Sequence, residues 1–325
     1  MNSRQRFLET MRRGAPDRVP CFDEGLRDGV LARWHQQGLP RSADLSEMFR
    51  YDRRERVPAD LQPRGTAGWR PTSRRALREL AKRLDPEDPQ RLGPDWAQRV
   101  AAWRTREHVL GLPIHQGFFL SMGVGDWQTF LEAIYQLSDA PALVKDVMAL
   151  QAEFAARLAD RILADVEVDF VSFSEPIGGN DGPLLSPRMY EQIVLASYRP
   201  ILEVVRARGV ETIVLETYGN PRPLLPCVLE AGFNCLWAFE TNPETMDYLE
   251  LRREFGPDLR LIGGIDLDVL LLDKAAIRRE IERKVPPLLA QGGYIPLADG
   301  RVRENVPFEN YCCYRRLLEE VTATA

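Results

Sequence analysis

The sequence predicts an α/β protein, a parallel sheet wrapped by helices. Three observations lead there. Strand-like stretches alternate with helical stretches about seven times, with no succession of strands. Strand candidates such as Ile213-Val214-Leu215 are apolar on both faces, as a sheet buried between two layers requires. Acidic residues also follow strand after strand: Asp23 and Glu24, Glu175, Glu216, Glu240, Asp266 and Asp299. A doubly wound sheet gathers its ligand residues at one switch point, so this spread suits a closed barrel with its chemistry at the strand C-termini.

Residues 3–13 read as a helix stopped by Gly14 and Pro16. A first strand is expected over 18–23, with Asp23, Glu24, Arg27 and Asp28 at its exit, then a helix over 29–37 ended by Gly38 and Pro40. Residues 41–110 hold clustered arginines, several prolines and Trp69, Trp96 and Trp103. They are too many for a bare loop. An excursion covering one end of the fold is expected, with tryptophans as packing anchors and arginines as a solvated face.

Residues 112–119 are a second strand candidate carrying His115 and Gln116, and 123–137 are helical. Asp139 is placed to cap a long helix from Pro141 to about Ala164, whose Leu143, Val147, Leu150, Phe154, Leu158 and Ile162 form one buried stripe. Strand 169–174 exits into the Gly-rich stretch 175–182. Ser186 caps the next helix, with Pro187 in its first position and Gly209 beyond its end at Ala207. Strand 212–215 runs out into Glu216, Tyr218 and Asn220, followed by a helix over 224–231. Strand 233–239 leads to a helix begun by Asn242-Pro243-Glu244 and broken at Gly256-Pro257. Strand 259–265 leads to a helix over 274–289 capped by Asp273, and strand 292–299 to a final helix opened by Pro307.

The 325 residues, 44% hydrophobic and 28% charged, suffice for a large core in a single domain spanning 1–325. A net charge of -5 offers no electrostatic case for nucleic acid or an anionic membrane. No apolar run is long enough for a membrane span, and the first residues lack the apolar core of a signal peptide. The five cysteines contain no C-x-x-C pair, which points to reduced thiols in a cytoplasmic protein and to no zinc knuckle. No Walker or Rossmann pattern is present.

Glu216 and Tyr218, two apart on a strand, share a face. In a barrel mouth, burial would raise the glutamate's pKa toward the range of a general acid. A salt bridge or helix cap is the plainer reading. Asn220 follows at the same exit. Glu175 opens a loop whose Gly178-Gly179 is equally explained as a turn. Asp266 follows Gly263-Gly264 and could be a cap or a ligand group. Asp299, Arg301 and Arg303 alternate, and arginine grips carboxylates through paired donors; Arg27 is a similar candidate. His115 could titrate near neutrality or be a satisfied structural group.

Several motifs resemble the uroporphyrinogen decarboxylase superfamily, which also contains cobalamin-linked methyltransferases. They are Arg6-Phe-Leu with Pro16-Asp-Arg-Val-Pro20, Arg33-Trp with Gly38-Leu-Pro40, and Gly182-Pro-Leu-Leu-Ser-Pro187. Gly263-Gly-Ile-Asp266, Gly292-Gly-Tyr-Ile-Pro296 and Val306-Pro-Phe-Glu-Asn-Tyr311 complete the set. The resemblance implies a distorted (β/α)8 TIM barrel with a pocket at its C-terminal mouth, to which the residues themselves add the N-terminal helical or irregular excursion over 41–110. Departures mark a divergent member. Where the methyltransferase branch has His-x-Cys-Gly and a later cysteine around zinc, this chain has Glu216-Thr-Tyr218-Gly219; His35, His108 and His115 lie elsewhere, and Cys312 and Cys313 sit in the last helix. Some relatives carry Asp-x-Asp-Gly-Asn here, and a histidine after the aspartate matching Asp299; this chain has Glu216, Tyr218 and Gly300. The decarboxylase's arginine-rich first loop is reduced to Arg27 and Arg33.

Three readings follow. The first is a decarboxylase-like lyase acting without zinc or other cofactor on a carboxylated small molecule or pyrrole-type ring. Glu216, Tyr218 and Glu175 would be catalytic; Arg27, Asn220, Asp266, Asp299, Arg301, Arg303 and His115 would bind substrate. The second is a methyltransferase-like enzyme that meets a corrinoid protein. The third is a non-catalytic ligand-binding member. A monomer or homodimer fits each.

Overall fold

A computed structural model describes residues 1–65 and 69–323. Seven parallel strands form one sheet in sequence order: β1 Arg54–Arg56, β2 Val109–His115, β3 Phe170–Glu175, β4 Ile213–Tyr218, β5 Cys235–Phe239, β6 Arg260–Gly263 and β7 Tyr294–Ile295. Helices follow the strands, so the chain has an α/β, TIM-like architecture. Among the described residues no helix is long and apolar enough to cross a membrane.

Side-chain alternation divides the sheet into two faces. One face meets the helices in the main core. The other converges on a second cluster: Val109, Phe170, Val214, Cys235, Trp237, Ile262, Ile295 and Leu297. Strands β2 to β7 all contribute to it, so the sheet is curled around it. Phe7 and Met11 of the Ser3–Met11 helix and Phe22 of the following extended segment complete it.

The segment expected to be the first strand, 18–23, has no ladder. The Asp52 carboxylate accepts the Cys21 N–H, while the Asp52 N–H donates to the Cys21 carbonyl. A side chain thus stands where a neighbouring strand's carbonyl would be. Further along, Leu26 forms an isolated parallel bridge with Val302.

The strand at the β1 position comes instead from the arginine-rich stretch. Arg54 pairs in register with Val109 and Arg56 with Gly111, which puts both guanidiniums on the inner face. Residues 66–68 of the expected covering excursion lie outside the described residues.

Other differences are local. The second strand begins and ends earlier than expected; after it, Gly117 takes a left-handed φ of 81° and starts the short helix Gly117–Ser121. Asp139 ends the Trp127–Asp139 helix rather than capping the next, which starts at Pro141 with Ala140 as its cap. Asn242 accepts the Glu244 N–H in a turn, and the helix expected there begins at Tyr248 under an Asp247 cap. In the expected 187–207 helix, Tyr190–Leu195 is wound as a π-helix before Ala196–Ala207 resumes the α form.

The inner cluster should carry much of the stability. Phe170 packs against Phe7, with ring centroids 5.5 Å apart, and lies over Gly111, where an added Cβ would fall 2.2 Å from its ring. Phe170→Ala should cost about 3–5 kcal/mol, read as a lower urea midpoint at unchanged denaturant slope.

Candidate functional site

A cavity of about 460 Å³ opens at the C-terminal ends of the strands. Register explains its walls. Ser174 pairs with Glu216, and Glu216 with Trp237, so these side chains share the inner face. Tyr218 and Phe239 stand one alternation higher and also line the cavity, their rings 5.4 Å apart. Tyr218 remains substantially exposed, so the two rings form an aromatic shelf. Burial raises the Tyr218 phenol, followed by repulsion from Glu240 and Glu216, which keeps it a neutral hydrogen-bond donor at physiological pH.

Charged groups make up most of the remainder. Arg56 reaches from β1 to donate to Glu216 Oε1 at 2.8 Å; its side chain is 47% exposed and that of Glu216 only 7%. Gly111, opposite Arg56 in the ladder, presents no side chain toward it. Arg54 lies beneath, with its guanidinium carbon 4.7 Å from the Trp237 ring centre and 5.4 Å from that of Phe22. It donates to Glu24 Oε1 at 3.0 Å, and burial raises the Glu24 carboxyl pKa against the pull of Arg54. Arg27 pairs with Glu240, which takes a left-handed φ of 47° and donates its N–H to the Asp299 carbonyl. Arg301 donates to the Leu26 carbonyl.

The cavity therefore brings together Glu216, Tyr218, Arg27 and Arg301 from the sequence-derived candidates. The others stand outside its lining. Asn220 accepts the Arg222 N–H in a turn. Asp266 caps the Leu267–Leu271 turn through the Asp268 N–H, and burial raises its pKa. Asp299 accepts from the Thr241 N–H and hydroxyl and from the Leu267 N–H, bracing two exit loops; burial raises its pKa as well. Arg303 pairs with Asp268.

Glu175 and His115 occupy the opposite face of the sheet. Glu175 pairs with Thr217, one residue out of phase with Ser174 and Glu216. It is fully buried and accepts from the Phe118 N–H at 2.9 Å, Tyr198 at 2.5 Å and Tyr190 at 3.4 Å. His115 packs edge-on against Tyr198, its Nδ1 accepts the Gly117 N–H, and burial drops its pKa to about 3. With neutral neighbours, burial pushes the Glu175 carboxyl up to about 7.

Sequence reasoning missed Arg56, because charge in 53–56 hid a period-two strand. Glu24 and Glu240 were visible as acids after strands but not as partners of Arg54 and Arg27. The Gly178-Gly179 turn has a further reason for its composition: a Cβ on Gly178 would fall 1.9 Å from the Tyr218 carbonyl oxygen.

The donor set at the β4 exit does not suit a zinc-thiolate centre. It offers a carboxylate already held by a guanidinium and a neutral phenol, with Cys312 and Cys313 in the Phe308–Thr322 helix. Among the described residues, no group of three or more His, Cys, Asp or Glu could hold a metal ion.

Parallel strands curled around an apolar cluster, with a polar cavity at their C-terminal ends, define a TIM-like α/β protein. The Uroporphyrinogen decarboxylase (URO-D) family model matches residues 121–317, more than half of the chain. The protein belongs to the uroporphyrinogen decarboxylase family, of which it is a divergent member. A solved methyltransferase from Methanosarcina mazei shares the fold, with a TM-score of 0.63 at 15% identity, covering 98% of this chain and 99% of that one. A structure described as a candidate vitamin-B12 independent methionine synthase from Listeria monocytogenes overlaps 70% of this chain and 69% of its own, with a TM-score of 0.39 and 13% identity. No curated protein matches the sequence.

Glu175 generates a prediction about pH. Its folded pKa lies near 7 against an ordinary 4.5, so the folded chain holds this proton more tightly than the unfolded chain. The contribution to stability is full below about pH 4.5 and declines by up to about 3 kcal/mol as pH rises to about 7. Urea midpoints measured across this window should show the decline, and Glu175→Gln should flatten it.

Proposed function

We propose that the protein is a carboxy-lyase-like enzyme that acts without zinc on a carboxylated, pyrrole-type ring at this cavity. In this reading the extended segment 19–26 serves as the eighth stave of a distorted (β/α)8 barrel. The observation that carries the reading is the Arg56–Glu216 pair beside the neutral Tyr218 phenol, all facing one hollow. Arginine in the cavity holds the substrate carboxylate. The neutral Tyr218 phenol delivers a proton to the ring carbon that bears the leaving carboxylate, and the Glu216 carboxylate acts as the base through which water returns it. The carbon–carbon bond then breaks, carbon dioxide leaves, and its bonding electrons return to the ring. Glu24 and Glu240 offset the positive charge of the protonated ring. Glu175 and His115 act from the opposite face of the sheet, by holding the β2 and β3 exits in place.

A second reading, methyl transfer involving a corrinoid protein, draws on the fold shared with the Methanosarcina methyltransferase. The chemistry of Glu216 and Tyr218 disfavours its zinc-thiolate form.

Carbon dioxide release from pyrrole carboxylates tests the first reading. Glu216→Gln should lower kcat by about 10²–10⁴ while substrate affinity changes little. Unchanged kcat in that variant, or methyl transfer in place of carbon dioxide release, would overturn it.

A further inference from the structure

We infer that the cavity is built for a small ring bearing one anionic group, seated at Arg301, and not for a polycarboxylate. The inference rests on the proposed reading of the site and narrows its substrate class.

The charge balance of the cavity leads there. Two of its guanidiniums already have a carboxylate, Arg56 with Glu216 and Arg27 with Glu240, and Arg54 beneath it has Glu24. A ligand carboxylate that captured one of them would leave a protein carboxylate behind. Glu216 and Glu24 are well buried at 7% and 12% exposure, so stranding either beside an incoming anion is strongly unfavourable. The Arg27–Glu240 pair is nearly half exposed on both sides and could exchange, but that only trades one carboxylate for another.

Arg301 differs. Its side chain is 55% exposed, its hydrogen bonds go to the Leu26 carbonyl, and its nearest carboxylate, Asp28, is 4.0 Å away and fully exposed. So distant and solvated a partner holds it weakly. A guanidinium has five N–H donors, which leaves donors for a ligand oxygen pair. The shelf of Tyr218 and Phe239 lines the same hollow and offers a face for one aromatic ring. At about 460 Å³ the space suits a single small molecule. A large ring with several acidic arms would bring them against Glu24, Glu216 and Glu240 together.

Calorimetric titration of the full chain with pyrrole-2-carboxylate, pyrrole-2-carboxamide and pyrrole-2,5-dicarboxylate tests this. The monocarboxylate should bind, the carboxamide about tenfold more weakly, and the dicarboxylate within about threefold of the monocarboxylate. Arg301→Met should weaken monocarboxylate binding about tenfold, whereas Arg303→Met, outside the cavity lining, should change it less than about twofold. A dicarboxylate preference of about tenfold or more that vanishes in Arg27→Met, or unaltered binding in Arg301→Met, would overturn the inference while leaving the proposed reaction standing. If none of the three compounds binds, both fall.

Discussion

Two arginines on the inner face of β1 set the terms for everything at the mouth. A curled parallel sheet usually fills its interior with branched apolar side chains, and here the lower half does so. In the upper half, Arg54 and Arg56 point inward. A cation there is tolerable only when paired and covered. Glu24 and Glu216 supply the charge, and Phe22 and Trp237 cover the Arg54 guanidinium. The upper interior is an open cavity lined by charged groups instead of apolar core. Glu216 is consequently not a free acid at a strand end. Whatever it does chemically, it does with Arg56 at 2.8 Å.

Strand parity then sorts the remaining polar groups. Ser174 and Glu216 lie in one register row on the inner face, while Glu175 and Thr217, one residue later, lie on the outer face under the helices. The outer set is buried. Glu175 has tyrosines and a backbone N–H but no cation beside it, and His115 sits too deep to hold a proton. A carboxyl with a pKa near neutrality usually attracts attention as a catalyst. Here the shift follows from burial on the far face of the sheet. Its hydrogen bonds join the end of β3 to the Phe118 N–H beyond β2 and to the hydroxyls of Tyr190 and Tyr198.

Much of the architecture was legible. Strands β3 to β6 stand out because their apolar runs are short and bounded by turn residues. Ser186, Asp273 and Gly209 mark helix ends through local chemistry that needs no distant partner. The failures share one cause. Segment 18–23 has the composition of a strand, yet its ladder position is taken by the Asp52 side chain. Residues 54–56 have the composition of a surface, yet they form β1 because carboxylates and rings distant in sequence receive their charge.

The site divides along the same line. Glu216 and Tyr218 share a face by strand periodicity alone, and the recurrence of acids after strands places the chemistry at one end of the sheet; both are local properties readable from residue order. The pairing of Arg27 with Glu240, of Arg54 with Glu24 and of Arg56 with Glu216 is not local, since the last joins residues 160 positions apart. Which arginine of the cavity is left without a close carboxylate depends on those pairings. Only the curled sheet, by choosing which side chains meet across its hollow, decides that it is Arg301.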